Sequence, residues 1–95
     1  MIVHWTLQAV DDRASIFDYL LGHNPSAALA IDQAFEQAAR RLQDFPRCGK
    51  IGVITGTREL IPYPNYRLVY EVSPEAVRIL TILHTARQWP PATPA

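Results

Sequence analysis

Apolar and polar positions alternate along the chain with two periods, and the change between them marks a fold boundary. Ile2 to Trp5 is short and rich in β-formers, which predicts a first strand lying beside a later one. From Thr6, a suitable N-cap, the period becomes helical. Leu7, Val10, Ala14, Phe17 and Leu21 recur at steps of three and four and are expected to face the core, with Asp11, Asp12, Arg13 and Asp18 facing mostly away. Gly22-His23-Asn24-Pro25 ends one helix and starts another: Gly22 is a stop, Asn24 a cap, and Pro25 fits a first turn. So short a turn makes the two helices antiparallel. Ala28, Ile31, Phe35, Ala38, Leu42 and Phe45 give the second helix its expected core face. Pro46 stops it, and Ala27, Ala30 and Ala34 allow close approach of the pair.

Gly49, Gly52 and Gly56 punctuate a loop, after which the period falls to two. Strands are expected over 57–61, 66–72 and 77–83, separated by Pro62-Tyr63-Pro64-Asn65 and Ser73-Pro74-Glu75-Ala76, as an antiparallel meander. Strict alternation puts Tyr66, Leu68, Tyr70 and Val72 on one face of the middle strand and Arg67, Val69 and Glu71 on the other. In the last strand it opposes Val77, Ile79, Thr81 and Leu83 to Arg78, Leu80, Ile82 and His84. The expectation is an α+β domain of order β-α-α-β-β-β over 1–90, its helical hairpin on one sheet face and the other left for a ligand or partner. Residues 91–95 are expected to form a free tail.

Ninety-five residues make one domain. An apolar content of 48% against 19% charged excludes a disordered tail and points to sticky surface, hence a protein partner. Nine basic residues balance nine acidic ones, so any anion site must be local. The single Cys48 forms no internal disulfide. With no signal-peptide pattern, no run near the roughly 20 apolar residues of a membrane span and no zinc-like Cys/His spacing, the expectation is a cytosolic protein without membrane attachment, metal or cofactor. The glycine loop lacks the Lys-Ser/Thr ending of a phosphate-binding loop.

Three blocks, Gly56-Thr57-Arg58-Glu59-Leu60, Tyr66-Arg67-Leu68-Val69-Tyr70-Glu71-Val72 and Leu83-His84-Thr85-Ala86-Arg87-Gln88-Trp89-Pro90, together with the element order, resemble the RelE/ParE toxin superfamily. The likeness covers nearly the whole chain and is strongest to the plasmid-stabilisation, ParE-like branch. It implies the toxin of a type II toxin–antitoxin pair, a growth inhibitor neutralised by a cognate antitoxin and oligomeric through it. Two targets follow from the resemblance: DNA gyrase, poisoned without hydrolysis, or mRNA cut on the ribosome. A non-toxic remnant that keeps only antitoxin pairing is a third reading.

Cutting RNA by its own 2′-hydroxyl needs a base, an acid and positive charge at the crowded phosphate. By resemblance, Arg67 and Arg87 match two arginines of the RelE ribonuclease site and Arg58 falls at its first lysine. Leu60 replaces the second lysine, and Thr93 stands where a tyrosine is used. By the same resemblance His84 is a candidate acid or base, since some ribonuclease members use a histidine near this end, but it stands about one position out of register, which turns it to the opposite face. The structural alternative has Arg67 and Arg87 paired with Glu59, Glu71 or an antitoxin carboxylate, and His84 holding the tail beside Trp89. These mismatches rank gyrase first. For the antitoxin, the expected contact residues are Val69, Leu80 and Ile82 on the second face, with Trp89.

Overall fold

A computed structural model describes residues 1–91, so the expected free tail lies outside the described residues save for Pro91. The elements are β1 (Ile2–Trp5), α1 (Leu7–Leu21), α2 (Pro25–Asp44), β2 (Lys50–Ile51), β3 (Thr57–Tyr63), β4 (Tyr66–Val72) and β5 (Ala76–His84). They form one sheet of order β1-β5-β4-β3-β2. β3, β4 and β5 make the expected meander, β1 pairs parallel with β5, and the two-residue β2 adds an unforeseen edge to β3. The hairpin turn is as expected. Asn24 accepts the Ala27 N–H at 3.2 Å, and the His23 and Asn24 amides close on Leu20 O.

α2 buries Ile31, Phe35, Ala38 and Leu42 in one cluster with Leu68, Tyr70, Val77, Ile79 and Ile82, and Ala28 is buried as well. Phe45, expected in this row, is exposed because the helix ends at Asp44 and the backbone leaves helical geometry at Phe45 itself.

α1 is rotated from expectation. Ala9, Ile16 and Leu20 pack on the core, while Leu7 is 83% exposed and Val10 and Leu21 also face solvent. The helix carries two apolar stripes about a third of a turn apart at 100° per residue, and polar anchors choose between them. Asp12, expected to face away, accepts from Thr81 Oγ1 at 2.5 Å and from the Ile82 N–H at 3.1 Å. Arg13 grips both carboxylate oxygens of Asp32 on α2, at 2.7 and 3.1 Å, bonds Glu36 at 3.2 Å, and lies over the Trp5 ring at 4.9 Å. The hydrogen bond to Asp32 keeps its guanidinium charged, against the opposing effect of burial.

Asp12 sits where β5 changes parity. Val69 pairs with Thr81 but Tyr70 with Ile79, so Leu80 is an extra residue on β5. Thr6 Oγ1 donates to the Leu80 carbonyl at 2.9 Å. The bulge reverses the strict alternation: Ile82 joins the core, and Leu83 turns to the second face opposite Arg67. The second face is therefore not simply open. Val69 and Leu83 are buried there outside the core cluster, and the C-terminal turn brings Trp89 beside Leu83. Asp12→Ala is expected to lower unfolding stability by about 1–3 kcal/mol, by stranding a half-buried hydroxyl and a strand-edge amide. Asp12→Asn, which keeps an acceptor, should lose less when both are compared by urea denaturation.

Candidate functional site

β3 and β4 place Glu59 and Arg67 as diagonal neighbours on the second face, since Glu59 stands opposite Val69. Glu59 is only 3% exposed. Its Oε1 lies 3.6 Å from Arg67 Nε, and its Oε2 accepts the Val53 N–H at 3.1 Å, tying the 52–56 loop to the sheet. Arg67 Nε is itself buried without a hydrogen bond, so the contact is an ion pair and not a bidentate clamp. Gly56 takes the left-handed backbone (φ 85°) that lets this loop turn back into Thr57.

Arg58 stands opposite Tyr70 and so belongs to the helix-side face. Its Nη1 donates to the carbonyls of Gly49 at 2.8 Å and Arg47 at 3.2 Å, holding the loop that follows α2. The same loop is pinned from below, where the Gly49 N–H donates to the buried Tyr70 hydroxyl at 2.9 Å. A Cβ on Gly49 would stand 2.7 Å from that hydroxyl, which explains the glycine. Burial pushes the Tyr70 phenol above its ordinary pKa.

His84 pairs across from Tyr66 on the helix-side face, its ring edge-on to Tyr66 at 5.5 Å, and Tyr66 meets Phe35 in the same way at 5.7 Å. The imidazole is exposed, and its Nδ1 accepts the Ala86 N–H at 3.1 Å, which puts the proton of the neutral ring on Nε2. Arg58 and His84 share a face but lie on the order of 15 Å apart by strand spacing and rise.

Arg87 borders a cleft of about 610 Å³ with Gln8, Asp12, Leu80, Thr81, Leu83, Gln88 and Trp89. No carboxylate lies within ion-pair distance of it among the described residues. The four candidates are thus not gathered at one point. Arg67 and Arg87 lie toward the second face, one in an ion pair and one in a cleft, while Arg58 and His84 lie toward the other. Of the expected partner contacts, Val69 and Ile82 are buried within the chain, whereas Leu80 and Trp89 are half-buried on the cleft. Pattern reading did not identify Asp12 or Arg13, because charge on a helix reads as solvated. Glu59, named from the sequence as an alternative partner for Arg67, does pair with it, on the face of Val69. Among the described residues no cluster of three metal-ligating side chains occurs, and no helix is long and apolar enough to cross a membrane.

Arg67→Ala is expected to cost on the order of 3 kcal/mol, because it leaves Glu59 buried and unpaired. The double change Glu59→Gln with Arg67→Met should recover most of that loss in the same denaturation assay. Near wild-type stability for Arg67→Ala alone would contradict a structural role for the pair.

Residues 3–89 match the family model described as the ParE toxin of the type II toxin-antitoxin system, parDE. The chain is 35% identical over 85 residues to toxin RelE2 of Caulobacter vibrioides, covering 90% of this chain and 96% of that one. It is 34% identical over 89 residues to the putative toxin Y4kP of Sinorhizobium fredii, covering 93% and 92%. Among solved structures it resembles a chain of the chromosomal ParDE TA system from P. aeruginosa, with a TM-score of 0.77 at 24% identity over 88% of this chain and 95% of that one. It also resembles the YoeB/ParE toxin from Agrobacterium tumefaciens, with a TM-score of 0.63 at 17% identity over 88% and 98%. By sequence and fold together, the chain belongs to the ParE toxin family of type II toxin–antitoxin systems.

Proposed function

We propose that this toxin stops growth by binding DNA gyrase without performing hydrolysis itself, and that its cognate antitoxin neutralises it by laying a helix on α1. The observation that carries the first part is the dispersal of the ribonuclease candidates. Arg58 holds the 47–49 loop, Arg67 is engaged by Glu59, and His84 faces away from Arg67. The four groups are split between two sheet faces, so one phosphodiester would not meet all of them, whereas general acid–base cleavage needs its groups around one phosphate. Binding makes no such demand.

The second part rests on α1. Leu7, Val10, Ala14, Phe17 and Leu21 follow the three-and-four spacing of a coiled-coil seam, and the exposed Asp11 and Asp18 flank it on one side. Val10, Ala14 and Phe17 already border a groove of about 370 Å³ with Trp5. An amphipathic antitoxin helix with apolar residues at the same spacing and Lys or Arg beside them complements this face. A second copy of α1 does not, because its own aspartates would meet these.

Purified toxin is expected to inhibit gyrase supercoiling and to accumulate gyrase–DNA breaks, while transcripts in cells expressing it keep intact 5′ ends. Clustered cuts within translated codons, with supercoiling untouched, would overturn the target assignment. For the antitoxin, Leu7→Glu and Leu21→Glu should each weaken the complex at least tenfold by calorimetry. Because both side chains are exposed in the free chain, its stability should change by no more than about 0.5 kcal/mol.

A further inference from the structure

A net charge of zero conceals an uneven placement of cations. Of the nine basic side chains, Arg13, Arg40, Arg67 and Arg78 lie within 4.0 Å of a carboxylate. Arg41, Arg47, Lys50, Arg58 and Arg87 have no such partner among the described residues, and Arg41, Arg47 and Arg58 border clefts where α2 ends and β3 begins. Arg41 and Arg47 border a cleft of about 550 Å³ together with Phe45 and Cys48. Arg47 and Arg58 border a second, of about 330 Å³, with Ile51. Arg47 belongs to both walls, so the clefts adjoin, whereas Lys50, directly opposite Glu59, turns to the second face and lines neither. Asp44 is the one carboxylate on either wall.

Exposed cations are ordinarily solvated and carry no message. Three features separate this group from that case. Arg41 has a local role at the negative end of the α2 dipole, but Arg47 lies beyond the helix and has none. The loop that bears Arg47 is held from two sides, by Arg58 on its carbonyls and by the Tyr70 hydroxyl on Gly49, so binding need not order it. All three cations are arginines lining two adjoining clefts, an arrangement that suits a repeating anion better than a single acidic side chain.

We propose that this basic end is a phosphodiester-backbone contact surface that grips duplex DNA, without sequence preference, through Arg41, Arg47 and Arg58. The choice of duplex DNA rests on the reading in which the target is gyrase, an enzyme that holds DNA while the toxin is bound. The surface lies apart from the α1 seam, so antitoxin and DNA address different residues of one chain.

The test is fluorescence anisotropy of the purified full-length toxin with a labelled duplex of arbitrary sequence, titrated across salt concentration. The logarithm of the binding constant should fall against the logarithm of salt with a slope of about −2 to −3, near −0.9 for each phosphate neutralised. Arg41→Gln with Arg47→Gln should reduce that slope by about two and weaken binding at least tenfold at low salt. The matched change Arg41→Lys with Arg47→Lys should keep the slope, which excludes misfolding as the cause. Arg78→Gln, an equal loss of charge from the Glu71 pair, should leave the slope at the wild-type value. A flat salt dependence, an equal effect of Arg78→Gln, or better competition by single-stranded RNA or polyglutamate than by duplex DNA would overturn the proposal. The measurement contains no gyrase, so failure of the two ideas is separable. A toxin that grips DNA but leaves supercoiling untouched contradicts the target assignment alone, and Arg41→Gln with Arg47→Gln that still poisons gyrase fully contradicts this one alone.

Discussion

The attachment of α1 to the end of β5 is the constraint on which the other features depend. β1 is four residues long and pairs only with the first half of β5, so the second half would present an unpaired parallel edge. Thr6 and Asp12 cover it instead: the hydroxyl takes the carbonyl of the bulged Leu80, and the carboxylate takes the Thr81 hydroxyl and the Ile82 amide. A helix thereby does the work of a strand. Its rotation is set by where one carboxylate must sit, and Arg13, reaching to Asp32 and Glu36, fixes the same rotation from the α2 side.

Two consequences run from that attachment to function. The bulge moves Ile82 into the core and Leu83 onto the second face, where Leu83, Val69 and the C-terminal turn carrying Trp89 close much of the surface. What remains is a cleft with one free guanidinium, Arg87, while Arg67 and Arg58 are engaged in holding the loops around β3. The rotation also leaves Leu7, Val10 and Leu21 outward, an apolar seam that a solitary soluble domain would not keep.

The fold was legible because its strongest signals are local. The Gly22–Pro25 turn, the α2 core row and the change of period after Gly56 each depend on neighbouring residues, and each matches the structure. The errors lie where two arrangements satisfy the same pattern. α1 has two apolar stripes, and only tertiary partners for Asp12 and Arg13 decide between them. β5 alternates cleanly in sequence, but one extra residue at Leu80 reverses everything after it. β2 is too short to show a period, and Phe45 continues a helical row past the point where the helix ends. At the site, family likeness selected Arg58, Arg67, His84 and Arg87 by position in the chain, but the face of the sheet on which each one lies is a tertiary property. Arg41 and Arg47 are separated along the chain from Arg58 and join it only in three dimensions.

The central claim is that polar anchors set the rotation of α1 and so decide which of its apolar stripes is offered to a partner. Methyl-resolved NMR of the free toxin with a soluble paramagnetic agent reads that rotation directly. The account predicts strong broadening of the Leu7, Val10 and Leu21 methyls, with Ile16 and Leu20 relatively protected. Protection of Leu7 and Leu21 with broadening of Ile16 and Leu20 would put the helix on its other face and contradict the account.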